Sequence, residues 1–131
     1  MEKEFAPYEQ ALILKELGFD EPCFGYFDPL LGDYAIMNSD CINPKPILFN
    51  HNSSSIVVSA PLYQQAFSWF REKYGLYHSI GLDNSLENDV NCDYQIINHS
   101  QSISELETDF KSYEEAELEC LKKLIEIIKN K

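Results

Sequence analysis

The chain has 131 residues, 44% of them hydrophobic and 13% aromatic, which suits one folded core and is unlike a disordered composition. Its 22 acidic and 10 basic residues give a formal net charge of -12, and residues 83–119 alone hold eleven acidic residues against one lysine. Such a surface repels phosphate backbones and excludes ordinary nucleic-acid binding. It is typical of a solvated face that keeps a protein soluble, and it leaves open a basic partner or mimicry of nucleic acid.

No apolar run approaches the roughly 20 residues that a membrane-spanning helix needs. The first ten residues are polar and acidic, without the apolar segment of a secretory signal. We therefore expect a cytoplasmic protein that has no membrane association. In a reducing compartment, its four scattered cysteines are expected to be free thiols.

The first predicted helix runs from about Pro7 to Leu17. Proline suits the first helical turn, and Gly18 followed by apolar Phe19 is typical of a Schellman closure. Apolar residues cover most of the helix circumference, so we expect it to be covered on more than one side.

Two short strands, Pro22–Asp28 and Asp33–Met37, are predicted to form a hairpin, because the residues between them supply the Pro and Gly of a turn. The next stretch, Asn38–Ser55, is rich in Asn, Ser and Pro and is predicted to be a surface excursion. It contains PILFN, a candidate edge strand, and it is followed by SIVVS, which we expect to be extended.

The second predicted helix begins at Ala60 or Pro61 and ends at Tyr74, with Ser59 as its N-cap. Its aromatic and alanine positions recur at the spacing of one helix face. Gly75, followed by a leucine, repeats the closure predicted for the first helix.

Two further strands, YHSIGL and DYQIIN, are separated by an acidic loop from Asp83 to Asn91. The segment that follows, SISELETDF, fits either a short helical turn or a ragged strand.

The last predicted helix runs from Tyr113 to about Lys129. Ser112 and Glu115 have the spacing of a capping box, in which each side chain accepts from a free backbone N–H at the helix start. The apolar residues of this helix form a broad stripe, which predicts a wide buried face.

A Tyr-(Glu/Gln)-(Gln/Glu)-Ala tetrad stands at the start of each predicted helix, beginning at Tyr8, Tyr63 and Tyr113. Its Tyr and Ala are three positions apart and so share a helix face. The tyrosine can lay its ring on the core edge, and the small alanine lets the helix approach closely. We interpret the tetrads as helix starts and not as catalytic or binding repeats, while duplication of the first two helices stays an alternative.

The common catalytic and cofactor motifs are absent from the sequence, including the Gly-x-Ser-x-Gly elbow, the P-loop and the dinucleotide-binding glycines. Asp89, Asn91 and Asp93 resemble the start of a calcium loop, but Tyr94 and Ser100 stand where that loop needs glycine and glutamate. We therefore predict no catalytic residue, no cofactor and no metal. Nothing in the spacing favours zinc binding by the other candidate ligands, which are His51, His78, His99, Cys23, Cys41 and Cys92.

Two cysteines fall where a buried, inert thiol is expected. Cys120 lies on the apolar stripe of the last helix, and Cys23 lies beside aromatic residues in a strand. A Cys/His-dependent enzyme is a further alternative, and it would need a thiol whose pKa is lowered.

The aromatic hairpin is the candidate interaction surface. Strand alternation places Phe24 and Tyr26 on one face, and Cys23, Gly25 and Phe27 on the other. One face must pack on the helices, whereas an exposed second face would suit a protein partner or self-association. The residues that we assign to this possible surface are Phe24, Tyr26, Phe27 and Tyr34.

Three strings, PYEQALILKELGFDEPCFGYFD, APLYQQAFSWFREKYGL and SYEEAELECLKKLIEI, together resemble a family of small acidic proteins encoded by gut Bacteroidales and their phages. The resemblance lies mostly in the three helices. The family has no established activity and supplies no site residue. It implies a phage or mobile-element accessory gene that acts in a bacterial cytoplasm.

We predict a single α+β domain over residues 1–131, with a small, mainly antiparallel sheet packed against three helices in the order helix, hairpin, possible edge strand, helix, two strands, helix. The predicted function is a non-enzymatic accessory role, through contact with a host or phage protein or with further copies of the chain. The alternative is a binder or sponge for a small, nucleotide-type ligand, for which Arg71 and Lys73 would supply positive charge.

Overall fold

The computed structural model describes residues 4–31, 36–37, 50–83, 91–98 and 103–130. Within these ranges the chain forms three α-helices and two antiparallel sheets, which confirms the predicted α+β class and the approximate order of elements. The elements are α1 (Tyr8–Glu16), β1 (Gly25–Phe27), β2 (Ile36–Met37), β3 (Val58–Ala60), α2 (Tyr63–Tyr74), β4 (Leu76–Asp83), β5 (Asn91–Asn98), β6 (Ile103–Phe110) and α3 (Tyr113–Lys129).

The chain divides into two compact units, Met1–Ala66 and Phe67–Lys131, so that α2 begins in the first and ends in the second. In the first unit, β1 lies between β2 and β3 and is antiparallel to both. The antiparallel pairing of β1 with β2, in which Gly25 is opposite Met37, therefore confirms the predicted hairpin. The pairing of β1 with β3 adds a strand, Val58–Ala60, that begins within the segment SIVVS, which we expected only to be extended.

The core of the first unit lies between α1 and the sheet. Its partly buried rim is formed by Tyr8, Leu12 and Leu62. The helix ends as predicted, because Gly18 has a φ of 94° and its N–H bonds to Lys15 O, while the N–H of Phe19 reaches Leu14 O. The buried members of the core cluster are Phe5, Ala11, Phe27, Val58 and Ala60.

The start of α2 differs from the prediction. Ser59, predicted to be the N-cap, lies in β3, and the helix begins at Tyr63. The N–H of Leu62, just before the helix, donates to Gln65 Oε1 at 2.9 Å, so the capping acceptor lies within the first turn and not before it. A serine two residues before a proline has the pattern of a cap, but Ser59 is held in the strand that pairs with β1. At the other end Gly75 has a φ of 69° and its N–H bonds to Arg71 O, an αL closure.

At the start of α3, one of the two hydrogen bonds of the predicted capping box is present. Ser112 Oγ accepts from the N–H of Glu115 at 3.1 Å, whereas the Glu115 carboxylate reaches the N–H of Lys111, one residue earlier than expected. The predicted helix bounds, Tyr113 to Lys129, agree with the structure. Each tetrad tyrosine is the first residue of its helix, and the three tetrad alanines are buried: Ala11, Ala66 and Ala116.

The second unit contains an antiparallel sheet in the order β4-β5-β6, and α3 packs against it. The segment SISELETDF, ambiguous in the sequence, supplies the third strand. The six described strands thus form two sheets, whereas the sequence predicted one. The buried side chains of the sheet and of the helix include Leu76, Cys92, Tyr94, Ile96, Cys120, Leu121 and Leu124.

A β-bulge interrupts the pairing of β5 with β6. Glu107 is opposite Tyr94 and Phe110 is opposite Cys92, so that two residues of β6 lie against one residue of β5. One of the two, Asp109, has a φ of 73°. The bulge confines regular pairing to the first part of β6, Ile103–Glu107.

Several predicted features lie outside the described residues. They include most of the PILFN strand and the interior of the acidic loop after Asp83. In the part of the chain that is described, none of the helices combines the length and the apolar character needed to cross a membrane.

Candidate functional site: an exposed sheet face

The four residues of the aromatic hairpin do not share one environment. Phe27 is 3% exposed in the core of the first unit, and the ring of Tyr8 meets it edge-on at 5.5 Å. Phe24 and Tyr26 are half-buried, in keeping with the predicted alternation, and Tyr34 lies outside the described residues. Phe27 therefore belongs to the face that packs on a helix, and the face that a partner could reach holds Phe24 and Tyr26.

Tyr26 is partly covered by a histidine. His51, in a short 3-10 helix, is buried, and its ring lies 4.8 Å from that of Tyr26. This burial lowers the pKa of the imidazole. Asn52 fixes the turn, because its side chain donates to Phe19 O at 2.7 Å and accepts from the N–H of Ser59 at 2.8 Å.

The turn that follows β1 presents two leucines to solvent. Leu30 is 87% exposed and Leu31 is 57% exposed. Asp28 shapes this turn, since its carboxylate accepts from the N–H of Leu30 at 3.0 Å and its carbonyl accepts from that of Leu31 at 2.9 Å. Asp28 thus orders both leucines without burying them.

The described cysteines have the properties of inert thiols. Cys23, Cys92 and Cys120 are free and buried, as predicted for Cys23 and Cys120. Burial raises the pKa of Cys23 to about 12, although the Ser59 hydroxyl opposes this effect. Burial, together with the nearby Glu117 carboxylate, raises the pKa of Cys120 to about 12. A nucleophilic thiol needs the opposite shift, so neither sulfur has the electrostatics of a catalytic cysteine.

The two cations considered for ligand binding are engaged within their own helix. Arg71 Nη2 donates to Ser68 Oγ at 2.8 Å. Lys73 Nζ lies 4.9 Å from the ring centroid of Trp69, a cation–π distance. His78 is half-buried, and its ring stacks on that of Phe67 with the centroids 3.8 Å apart. Burial, with a contribution from Arg71, lowers the pKa of His78.

Among the described residues, no group of three or more His, Cys, Asp or Glu side chains is placed to hold a metal ion. Asn91 and Asp93, from the calcium-like string, lie in β5, while Asp89 lies outside the described ranges. Asp93 instead lies over Gly81, where an added Cβ would stand 3.1 Å from its Oδ1.

The β4-β5-β6 sheet has a second face, opposite α3, that carries exposed apolar side chains. Tyr77 is directly opposite Ile97, and the two are 42% and 41% exposed. Leu106, which is 60% exposed, is directly opposite Gln95. It is therefore a diagonal neighbour of Ile97 on the same face of the sheet. We call this surface, formed by Tyr77, Gln95, Ile97 and Leu106, the outer face.

The sequence analysis did not assign the outer face to a site, yet a signal for it was present. Ile96 and Ile97 are adjacent in one strand, so alternation must direct one inward and the other outward. The structure buries Ile96 at 2% exposure and leaves Ile97 on the outer face. A single buried face would have needed only one of the two isoleucines.

From Leu106 to Asp109, strand β6 is exposed on both of its faces. Four consecutive residues are exposed: Leu106, Glu107, Thr108 and Asp109. Within the described strands, β6 has one neighbour, β5, and lies at the sheet edge. An edge strand carries backbone N–H and C=O groups that point away from the sheet. Here those groups lie in an acidic part of the chain, beside Glu107 and Asp109.

No protein-family model, curated protein or solved structure matches the chain. Its function therefore has to be inferred from its own residues.

Proposed function

We propose that the chain is a non-enzymatic interaction protein, a phage or mobile-element accessory factor that binds another protein in the bacterial cytoplasm. The observation that carries the proposal is the outer face. It places exposed tyrosine, isoleucine and leucine side chains on the same face of three paired strands. Aromatic and aliphatic residues grouped in this way are typical of the centre of a protein interface.

The chemistry of the described residues supports binding over catalysis. The buried thiols of Cys23 and Cys120 have raised pKa values, and Arg71 and Lys73 already have partners in their own helix. A small anionic ligand would have to compete with those partners. A protein partner needs no such rearrangement to reach the exposed side chains of Ile97 and Leu106.

The test uses variants of the outer face as bait. The wild-type chain and an Ile97→Thr/Leu106→Thr variant, immobilised at equal density, are exposed to lysate of a Bacteroidales host. Threonine keeps strand propensity while it removes apolar area. The matched control is Leu82→Thr, since Leu82 is 62% exposed and pairs with inward-facing Cys92, hence on the other face.

We expect the wild type and Leu82→Thr to retain the same protein, and the double variant to lose it. Loss of two interface contacts of about 1 kcal/mol each weakens binding roughly thirtyfold. Circular dichroism checks that all three chains are folded. Equal retention by all three baits, or retention of no protein by the wild type, would refute binding through the outer face.

A further inference from the structure

We propose that the edge of β6 binds an extended segment, rich in lysine or arginine, of the partner protein, which adds to the sheet as a fourth strand. This inference rests on the proposed function and specifies the chemistry of the partner. It starts from the first part of β6, where five residues, Ile103–Glu107, pair one-to-one with β5. Regular pairing on one side leaves alternate N–H and C=O groups directed to the other side, at the spacing that a further strand needs.

The exposure of Leu106 and Glu107 indicates that this part of the β6 edge is accessible. The side chains of Leu106 and Glu107 point to opposite faces of the sheet, and both are exposed. An element lying along this edge would cover at least one of them. The bulge at Thr108 and Asp109 limits the accessible regular edge to about the length of a short peptide.

The charge of the chain selects the occupant. A second copy pairing edge to edge would bring two acidic strands together, within molecules that each carry a formal charge of -12. Like charges that face each other across a strand pair are destabilising. A basic segment has the complementary charge, and the acidic potential would also speed its association.

The two faces of β6 also predict the pattern of the segment. Residues that project on the side of Glu107 are expected to be basic. Residues that project on the outer face, beside Leu106, are expected to be apolar. The preferred segment therefore alternates lysine or arginine with aliphatic residues over about five positions.

The probe is the capped peptide Lys-Val-Lys-Val-Lys-Val-Lys with a fluorescent label, measured by anisotropy at 0.15 M salt. Two derivatives carry N-methyl groups, one on all valines and the other on the internal lysines. In an added strand, alternate N–H groups face β6 and the rest face solvent. We expect one derivative to lose about tenfold or more in affinity and the other to stay within about threefold of the parent. Equal effects of the two would overturn strand addition.

Glu107→Lys is the variant of the protein, and Glu126→Lys is its matched control. Both make the same charge change, but Glu126 lies on α3, where it pairs with Lys123. We expect Glu107→Lys to lower the affinity for the parent peptide about fivefold or more, and Glu126→Lys to lower it less than twofold. Equal weakening would mean that only net charge attracts the peptide and would refute the site. Hydrogen exchange should place new protection at Ile103–Glu107, and protection elsewhere would also refute it.

The outcomes separate this inference from the proposed function. A partner that is lost with the outer-face double variant, together with a peptide that does not bind, would leave protein binding supported and refute the basic strand. Concentration-dependent dimerisation of the wild type that is abolished by Glu107→Lys would assign the β6 edge to a second copy and likewise refute it.

Discussion

Replacing Lys15 by methionine tests how much one cation contributes to the segment that leads into β3. Lys15 Nζ donates to Ser54 O at 2.7 Å and to Val57 O at 2.8 Å. The two bonds span 39 and 42 residues of chain, so they connect α1 to a distant segment. Methionine retains much of the aliphatic stem of lysine and removes both bonds.

The expected loss follows from the type of bond and its burial. A hydrogen bond to a charged group contributes about 1.5–3 kcal/mol. Lys15 is only partly buried, so water can replace part of what each carbonyl loses. We therefore expect Lys15→Met to lower the free energy of unfolding by about 2 kcal/mol, less than the sum of two full contributions.

Lys122→Met is the control, because it makes the same chemical change on a surface helix. Its ammonium pairs with Glu119 at 3.2 Å, and the two side chains are 46% and 42% exposed. Such a pair is worth about 0.3 kcal/mol. Urea unfolding followed by circular dichroism gives both values, and hydrogen exchange at Val58–Ala60 should speed up only in Lys15→Met. Losses that are equal within about 0.3 kcal/mol would refute the assigned role of Lys15.

Three further predictions concern thiols and backbone conformation. Because the pKa values of Cys23 and Cys120 rise from 9.0 to about 12 on folding, the unfolded chain loses these protons first. The free energy of unfolding should therefore fall as the pH rises from about 9 towards 12, and less so in Cys120→Ala, whereas a flat profile would contradict the burial argument. Gly75→Ala should cost about 1 kcal/mol in urea unfolding, from backbone strain alone, since an added Cβ meets nothing within 4 Å at a φ of 69°. Asp109→Val, at a φ of 73°, should cost about 1–2 kcal/mol while Asp109→Gly stays within about 0.5 kcal/mol of the wild type; equal losses would show that the bulge conformation is not strained.

The helices could be predicted because their signals are local. Gly18 with Phe19 and Ser112 with Glu115 act within a few residues of each other, and the structure contains the corresponding bonds. Ser59 shows the limit of such signals. Its local pattern is that of a cap, but pairing with a strand more than thirty residues away holds it in β3.

The division into two sheets depends on long-range pairing, which a single sequence does not encode in a readable way. β1 pairs with β3, although most of the sequence of the first unit separates the two strands, and β6 pairs with β5. β6 was ambiguous for a physical reason: Leu106, Glu107 and Thr108 are all exposed, so no alternation of apolar and polar residues marks the strand.

The candidate site was only partly accessible to prediction. Alternation correctly separated Phe24 and Tyr26 from Phe27, but it could not determine which face α1 would cover. The sequence shows that Tyr77 and Ile97 are apolar. That the two residues are directly opposite each other, in β4 and β5, follows only from the register of the strand pairing. Sequence patterns identify which side chains can bind, and pairing determines which of them share a surface.

The repeated tetrads follow from the physics of starting a helix. The third tetrad residue carries an oxygen that can reach back to a free N–H, as Gln65 does to Leu62 and Glu115 does to Lys111. The fourth is an alanine, buried in all three cases, where a larger side chain would hold the helix away from its neighbours. A chain with three helix starts can arrive at the same four residues each time without a shared ligand. The fourth position needs little volume at all three starts, and the third position supplies an acceptor at two of them, α2 and α3, while α1 begins after Pro7 without a side-chain cap.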